Sequence, residues 1–101
     1  MDRAQFYKEV YSIIKEIPYG NVSTYGKIAQ LIGKPQCSRM VGQALSHAPE
    51  EQHLPCHRVV NSQGRLVPGW QKQKELLEKE GITFKPNGCV NMPKQERKSV
   101  G

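Results

Sequence analysis

The sequence predicts a small, mainly α-helical domain of winged helix-turn-helix type, with a short β-hairpin following the helices. Three observations carry that expectation. Apolar residues recur at helical spacing through the first half of the chain, two short helical stretches there are separated by a tight turn, and beyond Pro55 the period changes to short extended runs.

Taken in order, Phe6, Val10, Ile13, Ile14 and Ile17 share one face of an amphipathic helix over about residues 4–16, which ends before Pro18-Tyr19-Gly20. A second helix starts after "NVST", where Ser23 or Thr24 can cap it. It turns Ile28, Ala29 and Ile32 inward and closes at Gly33. "GKPQ" is a short turn, and a third helix runs through Ser38, Arg39, Val41, Gly42, Ala44 and Leu45 to about Ser46, stopping before Pro49. In helix-turn-helix geometry the second member of such a pair is the candidate for a DNA groove, although most helical hairpins only pack against each other. "CHRVVNSQGRLV" then reads as two extended runs around Asn61-Ser62-Gln63-Gly64, a hairpin or wing. A last helix spans Gln71 to Glu80 with Leu76 and Leu77 inward and Gly81 as its stop.

Length and composition set the bounds. A chain of 101 residues is one domain with a modest core, expected over 1–93, and the charged "KQERKSVG" of 94–101 reads as a flexible basic tail. Apolar content of 37% and a mean hydropathy of −0.65 describe a lean globule. No apolar run approaches the roughly 18 residues of a membrane span, and no signal-peptide pattern opens the chain, so no membrane partner and a cytoplasmic location are expected. Cys37, Cys56 and Cys89 are odd in number and irregularly spaced, which argues for reduced thiols over a disulfide framework. The formal charge of +6 favours a polyanionic partner, because neutralising phosphates releases counterions.

The chemistry centres on "LPCHRVV". A free thiol is only a few per cent ionised at neutral pH, so a reactive Cys56 needs a base or a positive field. His57 can supply the base, directly or through a water, and Arg58 adds local positive charge. The imidazole needs an acceptor on its far nitrogen, for which Glu75, Glu78 and Glu80 are available. The plainer alternative makes Cys56 a small buried hydrophobe and His57 a surface hydrogen bonder. "HLPCH" lacks a second ligand pair of recognised spacing, so neither a metal nor another cofactor is expected.

"PCHRVV", preceded by "STYGKIAQLIGKPQCSRMVGQAL" and followed by "LLEKEG", closely resembles the DNA-binding, C-terminal domain of the O6-alkylguanine-DNA alkyltransferases, also called methylated-DNA–protein-cysteine methyltransferases. The resemblance runs from about Phe6 to Ile82. It implies that Cys56 is the alkyl-accepting nucleophile, His57 the water-mediated base and Glu80 the carboxylate that orients the imidazole. It also implies that Tyr25 helps rotate the target nucleotide out and that Arg39 is the finger filling the gap. Thr24, Tyr25, Lys27, Gln36 and Arg39 are then the DNA-facing candidates. Tyr25, Pro55, Cys56, Val59 and Trp70 are the candidates for a base pocket, with the Cys56 and Val59 carbonyls on the guanine amino group. The implied partner is double-stranded DNA containing O6-alkylguanine, bound by a monomer through the minor groove with base flipping. Taken singly, Tyr25 also reads as a core aromatic, Arg39 as a solvated cation and Glu80 as part of an exposed charged face.

Three features depart from the family pattern. Ala48 stands where a hinge asparagine is usual, "GRLVPGWQKQ" is shorter than the usual serine- and glycine-rich lid, and nothing matches the family's separate N-terminal domain. The last two resemble the alkyltransferase-like proteins, which bind O6-alkylguanine without removing the alkyl group and hand the lesion to nucleotide-excision repair proteins. The expected function is therefore DNA repair by irreversible alkyl transfer to Cys56, an S-methyltransferase acting once. Lesion sensing without transfer is the first alternative, and a sequence-specific winged-helix regulator is the second.

Overall fold

The computed structural model describes residues 2–91; the expected tail at 94–101 lies outside the described residues. Helix α1 spans Arg3–Lys15, with the Asp2 side chain accepting from the Gln5 N–H at its start. Strand β1 is Ser23–Thr24 and leads directly into α2, Tyr25–Ile32. Thr24 is the N-cap of α2, its Oγ1 accepting from the Lys27 N–H at 3.0 Å, and Gly33 ends the helix at φ +90°, a conformation that suits a residue without Cβ. One 3₁₀ turn, Pro35–Cys37, joins α2 to α3, Ser38–Ser46. After two further 3₁₀ turns, Glu50–Gln52 and Cys56–Arg58, come strand β2, Val59–Val60, and α4, Lys72–Lys79.

The apolar residues that set the helical periods form the main core. Phe6, Val10 and Ile14 of α1 pack with Ile28 and Ala29 of α2, Val41 and Ala44 of α3, and Val59. A smaller cluster joins Val60, Leu77, Ile82 and Val90. Successive strand residues point to opposite faces, so β2 sends Val59 into the first cluster and Val60 into the second, with both fully buried.

The mainly α fold with a helix-turn-helix is as expected, and the strand pairing corrects the placement of the hairpin. Val59–Val60 pairs in parallel with Ser23–Thr24, not with the run after the turn. The chain does reverse at Asn61–Gly64. The Gly64 N–H donates to the Asn61 carbonyl, the Asn61 side chain accepts from Gln63 and Arg65, and Gly64 sits at φ +84°. Across that reversal the Asn61 N–H donates to the Arg65 carbonyl at 3.2 Å, but Arg65–Val67 forms no strand, and the Gly64 carbonyl accepts from Val90. The short antiparallel pairing lies later, at Phe84 and Val90, where Asn91 also donates to the Thr83 carbonyl. Cys89 belongs to this hairpin and is buried.

Thr24 thus ends β1 and caps α2 at once. Thr24→Ala should cost about 1 kcal/mol by loss of the cap, with Thr24→Ser recovering most of it, in denaturant unfolding.

Candidate functional site

The helix-turn-helix presents one exposed stripe. Arg39, Gln43 and Ser46 are exposed at i, i+4 and i+7 of α3, while Val41 and Ala44 are buried on the other face. Ser46 also lines a pocket, which places Arg39 about 10 Å up the helix from its rim at 1.5 Å per residue. Lys27 and Gln36 are exposed on the same two-helix unit. Between Ile17 and Pro49 the sequence contains no Asp or Glu, so Lys27, Lys34 and Arg39 act there without an acidic neighbour in sequence.

The pocket has a volume of about 510 Å³. Tyr25 opens α2 on one side, Gly42 and Leu45 of α3 form a wall, and Leu54, Cys56 and His57 bring in the turn before β2. Val67 and Trp70, from the segment before α4, complete it with Leu76 of α4 itself. Glu50 and His53 stand among the lining residues, and His53 is the only described residue other than glycine with positive φ, at 50°. Burial raises the Tyr25 hydroxyl above its ordinary pKa.

Of the residues expected in this pocket, Tyr25, Cys56 and Trp70 line it, and Pro55 and Val59 do not. The Val59 side chain is buried in the helical core. Its carbonyl accepts from Gln73 Nε2 at 3.2 Å, and the Cys56 carbonyl accepts from the Val59 N–H. Both carbonyls assigned to guanine are therefore already engaged within the protein.

His57 and Glu80 come together as expected. His57 Nε2 lies 2.6 Å from Glu80 Oε2, and the Glu80 side chain is only 5% exposed, while Glu75 and Glu78 are exposed on the helix. Glu80 reaches inward because it is the C-cap, where α4 ends against Gly81 at φ +85°. Arg58, expected to lend charge to the thiol, is committed elsewhere. Its Nε and Nη2 donate to the Glu80 carboxylate at 3.0 to 3.1 Å, its Nη1 donates to the Ile17 carbonyl at 2.8 Å, and its guanidinium lies 5.6 Å from the centre of the Tyr19 ring. The Gly20 N–H also donates to Glu80.

These contacts keep Glu80 ionised. Burial alone would raise the Glu80 pKa, but hydrogen bonds from Arg58, His57 and the Gly20 N–H outweigh it and hold the group at about 2. An ionised Glu80 accepts from Nε2–H, so a neutral His57 is left with Nδ1 as its acceptor. Burial pushes the Cys56 thiol above its ordinary pKa, against a smaller lowering by a backbone hydrogen bond. Without a proton acceptor Cys56 therefore rests as a thiol. Among the described residues no group of three or more His, Cys, Asp or Glu is placed to hold a metal ion.

Two residues of this region carried no signal that sequence reasoning could use. Gln73, on a helix of charged residues, is fully buried and bonds the His57 and Val59 carbonyls. Gly20 follows a proline-tyrosine pair that marks a helix end, and nothing in that pattern foretells a carboxylate contact sixty residues on.

Comparison with known proteins places this geometry in context. The family model for the 6-O-methylguanine DNA methyltransferase DNA-binding domain matches residues 5–82. The chain is 49% identical over 83 residues to Alkyltransferase-like protein 1 of Schizosaccharomyces pombe, covering 77% of each chain. It is 44% identical over 80 residues to the methylated-DNA–protein-cysteine methyltransferase of Methanosarcina acetivorans, spanning 76% of this chain but only 51% of that relative. The crystal structure of S. pombe Atl1 in complex with damaged DNA containing O6-carboxymethylguanine superimposes with a TM-score of 0.82 at 42% identity, covering 94% of this chain and 96% of that one.

The Glu80 network sets an acid limit on stability. The folded pKa of about 2 lies below the ordinary 4.5, so the stabilisation is present above pH about 4.5 and is lost as pH falls towards 2. Unfolding free energy should drop across that interval in the unmodified chain and drop less in Glu80→Gln, as read by denaturant titration at each pH.

Proposed function

The chain belongs to the O6-alkylguanine-DNA alkyltransferase family through its DNA-binding domain, and we propose that it binds O6-alkylguanine in duplex DNA by base flipping and accepts the alkyl group on Cys56. The family includes methylated-DNA–protein-cysteine methyltransferases as well as alkyltransferase-like proteins. The observation that carries the reading is that Cys56 and His57 both line the pocket while Glu80 holds Nε2 of His57 and leaves Nδ1 outside that contact.

On this reading α2 and α3 lie against the minor groove, with Thr24, Lys27 and Gln36 on the backbone. Tyr25 turns the nucleotide out, and Arg39 occupies the gap it leaves. The extruded base enters the pocket between Tyr25 and Trp70 and meets Cys56. His57 Nδ1 takes the thiol proton, directly or through a water, and Glu80 stabilises the imidazolium that forms. The thiolate sulfur attacks the alkyl carbon and the carbon–O6 bond breaks. The departing guanine takes back the proton, leaving unmodified guanine and a thioether on Cys56. A thioether offers no good leaving group, so each molecule acts once.

A second reading, lesion binding without transfer, is favoured by one observation. Burial raises the Cys56 pKa while Arg58, two residues on in sequence, is spent on Glu80 and so does little to ionise the thiol. On that reading the protein marks the lesion for nucleotide-excision repair.

Mass spectrometry after incubation with an O6-methylguanine duplex separates the two. Transfer adds one methylene mass on the peptide that holds Cys56, and Cys56→Ser abolishes the gain while keeping lesion affinity. An unmodified protein that binds the lesion tightly supports sensing, and methylation of Cys37 or Cys89 would sink the assignment.

Arg39 is tested by affinity for matched duplexes at two salt concentrations. A finger stabilises only the flipped complex, so Arg39→Ala should narrow the gap between alkylated and normal DNA, whereas Lys27→Ala should weaken both alike and reduce the salt slope. Equal losses on both duplexes with Arg39→Ala would make Arg39 a phosphate contact.

A further inference from the structure

Gln73 is the only polar side chain that is fully buried among the described residues. It sits in the first turn of α4, and its amide spans two segments. Oε1 accepts from the Val67 N–H at 2.8 Å, and Nε2 donates to the carbonyls of His57 at 3.1 Å and Val59 at 3.2 Å. The partners fix the amide orientation, since a backbone N–H requires the oxygen and two carbonyls require the NH₂. A leucine there would bury apolar surface without the cost of desolvating an amide, so the amide supplies something packing does not.

What it supplies is a cross-link between two parts of the pocket lining. Val67 and Trp70 come from the segment before α4, and Cys56 and His57 come from the turn before β2. Within the first segment the Trp70 N–H donates to the Val67 carbonyl, and the Gln73 N–H donates to the Trp70 carbonyl. Gln73 therefore holds the Trp70 side through its own backbone and Oε1, and the His57 side through Nε2.

We infer that Gln73 is a positioning residue of the lesion pocket, setting the gap between the Val67–Trp70 segment and the Cys56–His57 turn in which the extruded base is held. The inference rests on the proposed binding of O6-alkylguanine. Gln73 touches no DNA on this account. Its loss frees the two segments to drift apart, and a small misplacement is costly where a bound group must be held in register. The α2 and α3 residues assigned to the duplex share none of its hydrogen bonds, so general DNA affinity does not depend on it.

The test uses Gln73→Met, of similar length but unable to bridge, with two readouts taken where circular dichroism shows the helices intact. Trp70 is the sole tryptophan, so emission from the protein alone reports its segment directly. It should shift to the red in the variant. The affinity ratio between O6-methylguanine and guanine duplexes should fall about tenfold, the consequence of one lost hydrogen-bonded bridge, with guanine-duplex affinity nearly unchanged. Wild-type emission together with a wild-type ratio would overturn the inference. A wild-type protein without any preference for the lesion would instead overturn the binding reading, and the emission of the variant would still decide whether Gln73 positions the segment.

Should Gln73→Met not fold, Gln73→Glu decides. Its carboxylate still accepts from Val67 but faces two carbonyls without a proton to give. Lowering pH from about 8 to about 5 protonates a buried carboxyl and restores one donor. Preference for the lesion and Trp70 emission, each relative to wild type at the same pH, should recover together. A variant whose two readouts match wild type at both pH values would overturn the inference.

Discussion

One buried carboxylate organises the molecule around the pocket. Glu80 receives hydrogen bonds from His57, Arg58 and the Gly20 N–H, while Arg58 extends the set to the carbonyl of Ile17. An ionised group at 5% side-chain exposure is unfavourable unless its lone pairs are occupied. The contacts tie three segments together: the end of α4, which carries the carboxylate, and the loop after α1 and the turn before β2, which satisfy it. None can shift without leaving charge unpaired, so the imidazole beside Cys56 is held from behind by the same contacts that hold the chain together.

Helix α4 serves the site from both ends. Gln73 and Glu80 are seven residues apart, about two turns, and so fall on one face together with Leu77. The first binds the backbone of the Cys56–Val59 turn and the second binds its side chains. Between them Leu77 packs into the smaller cluster with Val60. A polar contact at each end and an apolar one in the middle fix both the distance and the rotation of the helix relative to the turn.

The four helices were legible because amphipathic periods and caps act over a few residues. Phe6, Val10 and Ile14 are buried as their spacing implies, and Thr24 and Gly33 bound α2 as their chemistry implies. The parallel pair was not legible, since two-residue strands carry no period and their partner lies thirty-six residues away. The turn at Asn61–Gly64 was legible, but a turn fixes only a reversal and not how far backbone pairing runs beyond it. Around the site, the pocket positions of Tyr25, Cys56 and Trp70 and the His57–Glu80 contact followed from the family pattern. The positions of Arg58, Val59 and Gln73 depended on tertiary contacts, for a guanidinium goes to the carboxylate that the fold supplies, and a glutamine among lysines and glutamates looks solvated until its partners are in view.

The adjacency of Val59 and Val60 has a consequence for the order in which the molecule loosens. The larger cluster gathers nine buried residues, eight of them from α1, α2, α3 and the loop after α1, whereas the smaller is assembled from only Val60, Leu77, Ile82 and Val90. Free energies of local opening follow buried apolar contact, so the smaller cluster opens at lower cost than the larger. In amide exchange, the protons of α4 and the Phe84–Val90 bridge should therefore be replaced sooner than those of the three-helix core. An excursion that unseats α4 would part the walls around Cys56 at the cost of the Glu80 contacts while leaving the α2–α3 pair in shape.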